Sequence, residues 1–137
     1  MIESPTVPSR GQIARLAEAI AASFDVERII LFGSRARGTA TNDSDVDLLV
    51  VMRYAGSETD QAVAILSKTN PRFAVDLLVR TPADTARRYR QYDPLVRDAL
   101  DNGVVLYAKR GSGMGRQVRR RLPLRPKAPS GAQRPRL

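Results

Sequence analysis

A layered α/β or α+β domain built on one small sheet is what the sequence predicts. Three observations carry this: four short apolar runs rich in β-branched residues, segments of helical periodicity between them, and Pro, Gly and Asn punctuation at their junctions. At 137 residues, 42% of them hydrophobic, the chain is long enough for one domain with a modest core.

Ser9 and Gln12 make a capping-box pair, and Ile13, Leu16, Ala17, Ile20 and Phe24 follow at helical spacing, which predicts a helix over 10–23. The run RIILF, 28–32, reads as a buried strand that ends in a turn at Gly33. A second strand, DVDLLVVM, covers 45–52. Ser57 opens a helix to about Lys68, which Asn70-Pro71 breaks, and FAVDLLVR over 73–80 is a third strand. Thr81-Pro82 and Asp93-Pro94 each set an N-cap before a proline at the first helical position. Two short helices follow, the second stopped at Asn102-Gly103, and VVLYA over 104–108 supplies a fourth strand. No internal repeat interrupts this order.

The net charge of +9 is unevenly placed. Residues 111–137 hold eight Lys/Arg and no Asp/Glu, which leaves 15 basic residues against all 14 acidic ones in 1–110. The expectation is a folded domain over 1–110 and a basic, Pro/Gly/Arg-rich, disordered tail over 111–137. That tail reads either as a solvated extension or as a contact for nucleic acid or an acidic partner. None of the seven aromatic residues falls in it, so it offers no stacking platform. The stretch GSGMG fails the dinucleotide fingerprint, because its third glycine would fall at Arg116.

Zero cysteines exclude disulfides and thiolate metal sites, and zero histidines exclude imidazole ligands and the commonest general base. Chemistry here must run on carboxylates, hydroxyls, backbone amides and Arg/Lys. The N-terminus lacks the apolar core of a signal peptide, and no run approaches the roughly 18 apolar residues of a membrane span. A soluble, cytoplasmic protein without membrane contact is expected.

Against that background LFGSRARGTATNDSDVDLLVV, 31–51, stands out. In a strand, Asp45 and Asp47 share one face while Val46 and Leu48 enter the core on the other. Two carboxylates at about 4 Å repel by a few kcal/mol at an effective dielectric near 20, and a divalent cation relieves that repulsion. Asp76 repeats the oddity inside another apolar strand. If the two strands are neighbours, three carboxylates meet on one patch, an arrangement that suits Mg²⁺ completed by water and substrate phosphate. The Gly33-Ser34 turn between a strand and a helix start presents N–H groups and a hydroxyl to phosphate oxygens, although it is not a Walker loop.

Gly33-Ser34, ten residues, Asp45-x-Asp47 and then a lone Asp76 on a later strand resemble the DNA polymerase β-like nucleotidyltransferase superfamily, specifically its minimal branch, over about 10–108. The resemblance implies a small mixed β-sheet flanked by helices, two Mg²⁺ ions and ATP as donor. It implies Gly33 and Ser34 as triphosphate holders, Asp45 and Asp47 as metal ligands, and Asp76 completing the metal site and acting as base toward an acceptor hydroxyl. Arg35 and Arg37 are placed either to assist with phosphate charge or as exposed helix-start residues. Larger relatives carry a second domain for the acceptor. Nothing after residue 110 reads as folded, so the acceptor is expected from a partner chain or a second subunit, in a homo- or hetero-oligomer. Minimal members are commonly antitoxins that transfer AMP to a tyrosine of a small helical HEPN-class toxin, which makes a protein adenylyltransferase the leading expectation. The alternatives are a nucleotidyltransferase of small molecules such as aminoglycosides, and a toxin-binding module without catalysis.

Overall fold

A computed structural model describes residues 7–110. The expectation of a disordered tail over 111–137 lies outside them.

Among the described residues, nine elements follow in chain order: α1 (Arg10–Ser23), β1 (Val26–Phe32), α2 (Ser34–Arg37), β2 (Val46–Met52), α3 (Glu58–Thr69), β3 (Val75–Arg80), α4 (Pro82–Arg90), α5 (Pro94–Asn102) and β4 (Val104–Ala108). Each longer helix starts where a side chain satisfies an orphan amide. Ser9 and Gln12 close the capping box of α1 in both directions. Ser57 accepts from the Asp60 amide, Thr81 from Asp84, and Asp93 from Leu95 and Val96.

The sheet is mixed, in the order β3-β2-β1-β4. β1 pairs antiparallel with both β2 and β4, while β2 and β3, joined through α3, run parallel. The five helices and four strands make the α+β architecture that the pattern predicts.

Both faces of the sheet are covered. Alternation along β2 sends Val46, Leu48, Val50 and Met52 to a layer with Ile13, Leu16, Ala17 and Ile20 of α1 and Ile65 of α3. Leu49 and Val51 face the opposite way, into a layer with Ile30, Phe32, Val96, Ala99 and Leu100. Burying a Val, Leu, Ile or Phe side chain contributes about 1.5–3 kcal/mol, so the central strands hold the domain together. α5 is further braced by α4: Arg88 bridges Asp84 and Asp93 at 2.9 and 3.0 Å, the Tyr89 hydroxyl donates to Asp101 at 2.6 Å, and the Arg97 guanidinium lies between the rings of Tyr89 and Tyr92.

Three strand starts differ from the sequence reading. β1 begins at Val26 rather than 28, because an irregularity between Val26 and Arg28 lets the strand continue past a charged residue, leaving Arg28 buried. β3 begins at Val75 rather than 73, and Asp45 stands just before β2 rather than within it.

Gly103 joins α5 to β4 at a point with no room for a side chain. A Cβ there would collide with the Ala99 carbonyl oxygen and Ile30 Cγ2, and would come within 2.8 Å of the Leu31 carbonyl oxygen. Gly103→Ala is therefore expected to lower the unfolding free energy by about 1–3 kcal/mol in urea titration. Gly11→Ala, whose Cβ meets only ordinary contacts at 3.5 and 3.8 Å, is expected to raise it by about 0.4–1 kcal/mol.

Candidate active site

The parallel register of β2 and β3 sets Asp47 directly beside Asp76, and the antiparallel register of β1 sets Phe32 on its other side. Asp47 stands on the sheet face that carries α5, because it alternates with Val46 and Leu48 of the opposite layer. The Val46 amide donates to the Ala74 carbonyl at 2.9 Å, which pins the head of β2 to the entry of β3. Asp45 precedes that pin by one residue. Asp45 and Asp76 are exposed and Asp47 is half-buried.

Gly33 is the N-cap of the one-turn helix α2 and has φ 77° and ψ −156°, a region essentially confined to glycine. A Cβ at this residue would overlap Asp47 Oδ2 and lie 3.2 Å from its Cγ. The Gly33 backbone thus approaches the half-buried carboxylate more closely than any other residue type permits, which places the Gly33-Ser34 turn and Asp47 in one patch.

The two arginines of α2 separate in role. Arg35 turns back onto the following loop, its Nη2 donating to the carbonyls of Thr41 at 3.2 Å and Ser44 at 2.9 Å and its Nε to Ser44 at 3.2 Å. It fastens the loop that delivers Asp45, a role that neither sequence-based reading of it included. Arg37 reaches across to α5 and pairs with Asp98 at 3.3 Å. Asp98 carries no motif and was not a sequence candidate; only the packing of α5 over the sheet reveals it.

Burial pushes the Asp47 carboxyl above its ordinary range, and the charges of Asp76, Asp45 and Asp98 push it further, against the opposing charge of Arg37. Three carboxylates act on a fourth, with the charge of Arg37 opposing them, and make a negative patch. Among the described residues, no three acidic side chains converge at ligating distance as they stand. An all-protein cage is not what Mg²⁺ needs, since it is usually held by one or two carboxylates and completes its shell with water and substrate phosphate. A donor set made only of carboxylate oxygens, mutually repelling and partly exposed, fits such a hard cation.

The chain matches the nucleotidyltransferase domain family over residues 13–106. Among solved structures, it is similar in fold to a candidate nucleotidyltransferase from Sulfolobus solfataricus, at 23% identity and a TM-score of 0.53, covering 74% of this chain and 82% of that one. A toxin-antitoxin structure with AMP-PNP aligns at 20% identity and a TM-score of 0.49, covering 82% and 83%. No curated protein matches the chain. Among the described residues, no helix is long and apolar enough to cross a membrane.

A raised folded-state pKa means that the folded chain holds the Asp47 proton more tightly than the unfolded chain does. Stability on this account is full below about pH 4, the ordinary carboxylate range, and is lost as pH climbs through the raised value. Asp47→Asn should therefore be more stable than the wild type at neutral pH, with a gap that closes as pH falls toward 4. Thermal unfolding of both proteins across that range checks it, and an Asn variant less stable at pH 7 would contradict it.

Proposed function

The chain belongs to the nucleotidyltransferase domain family, and from that premise we propose that it transfers AMP from ATP to a hydroxyl with Mg²⁺, the acceptor being a tyrosine of a small helical HEPN-class toxin for which it acts as antitoxin. The observation that carries the transfer reading is the lateral pairing of Asp47 with Asp76 against the side-chain-free backbone of Gly33. The choice of a macromolecular acceptor is supported by the resemblance to the minimal branch and by the openness of the patch. Asp45 and Asp76 are exposed, and β3 is an edge strand of the sheet, so a bulky partner can approach.

In this reading Gly33, Ser34 and Arg37 bind the triphosphate: the glycine admits it to the backbone, the hydroxyl donates to it, and the guanidinium neutralises it. Asp45 and Asp47 hold the metal, with Asp76 completing the set. Bound Mg²⁺ would supply charge neutralisation on the α-phosphate and the departing pyrophosphate and lower the pKa of the acceptor hydroxyl. Asp76 takes the hydroxyl proton, the tyrosine oxygen bonds to the α-phosphorus, and the bond from that phosphorus to the bridging oxygen breaks as pyrophosphate leaves. Placing the acceptor against this array contributes most of the rate, since proximity can supply roughly 7–11 kcal/mol.

ATP labelled at the α-phosphorus, incubated with the full chain, Mg²⁺ and either HEPN-class toxins or aminoglycosides, tests the proposal. Label is expected on a toxin tyrosine, with Asp47→Asn slowing transfer by about two orders of magnitude or more while leaving association with the toxin intact. Label on the aminoglycoside instead would shift the acceptor to small molecules. Toxin neutralisation by wild type and Asp47→Asn alike, without label, would make the protein a non-catalytic binding module.

A further inference from the structure

Asp98 lies outside every motif, yet its carboxylate is built into the patch. Its Oδ2 accepts from Arg37 Nη1 at 3.3 Å, and its Oδ1 accepts from Asn102 Nδ2 at 3.1 Å, one turn further along α5. Val96, Ala99 and Leu100 of the same helix are buried on the sheet. The carboxylate is therefore carried on an anchored helix, and Asn102 holds its second oxygen.

Arg37 meets two demands. Its charge counters those acting on Asp47, and it closes the one-turn helix that begins at the Gly33-Ser34 turn. Its planar fork suits phosphate as well as carboxylate. The pair with Asp98 is open to water, with side-chain exposures of 51% and 27%, so it is cheap to exchange.

We propose that Asp98 is a positioning residue that holds Arg37 at the mouth of the patch in the nucleotide-free protein and yields it to the incoming triphosphate. This rests on the nucleotidyl-transfer reading. Asp98 stands in for a phosphate: it keeps the guanidinium extended toward α5 instead of folded onto Asp47, and it is displaced when a more highly charged anion arrives. The exchange has a signature that a structural role lacks, because removing the placeholder improves triphosphate binding and does so through Arg37.

Calorimetric titration of the full chain with α,β-methylene ATP and Mg²⁺ is the test, on wild type, Asp98→Asn, Arg37→Gln and the double variant. Asp98→Asn is expected to tighten binding two- to fivefold, equivalent to about 0.4–1 kcal/mol. Arg37→Gln should weaken it, and most of the gain from Asp98→Asn should vanish in the Arg37→Gln background. Weaker or unchanged binding by Asp98→Asn, or an equal gain in both backgrounds, overturns the assignment while leaving the nucleotidyl-transfer reading in place. No binding of the analogue by the wild type overturns both.

Discussion

The pairing of β2 with its two neighbours constrains everything else in the domain. Sliding β2 by one residue against β3 would part Asp47 from Asp76 and send Val46, Leu48 and Val50 from the α1/α3 layer toward the α5 layer. Because both layers are apolar, neither gives up its residues without loss, and the register of a polar site is enforced by hydrophobic packing on each side of it. The parallel β2–β3 pair needs a crossover, and α3 provides it, buried through Ile65. Asp47 is the one residue of β2 that is not fully buried.

Around that strand the charges are distributed by distinct devices. Asp47 is fixed by the register and crowded by Gly33. Asp45 is delivered by a loop whose carbonyls Arg35 gathers, and Asp98 arrives on a helix anchored by its own core residues and braced by α4. The charge of Arg37 opposes those acting on Asp47. Repulsion that pushes the central carboxyl up costs the folded chain stability, which a bound cation would restore.

Most of the fold was legible because its signals are local. Ser9, Ser57, Thr81 and Asp93 announce helix starts by chemistry that acts within three residues, and each caps as expected. The apolar runs mark the strands, but strand ends depend on partners. Val26 joins β1 through an irregular register, and Asp45 falls outside β2 although it shares the strand-like pattern. Within the candidate site, the adjacency of Asp47 and Asp76 was a condition left open by the sequence, and the sheet order meets it. The loop contacts of Arg35 span six and nine positions and the Arg37–Asp98 pair spans 61, so no periodicity or motif encodes them; they follow from how the elements pack.

The proposed divalent-cation site at Asp47 depends on the strand register that sets Asp47 beside Asp76. Mn²⁺ in place of Mg²⁺ allows direct observation, because electron paramagnetic resonance separates free from bound ion in a titration of the full chain with ATP present. Binding by the wild type is expected, lost or weakened at least tenfold in Asp47→Asn and in Asp76→Asn, the effect of removing a ligand or its neighbour. Unchanged Mn²⁺ affinity in both variants would contradict it.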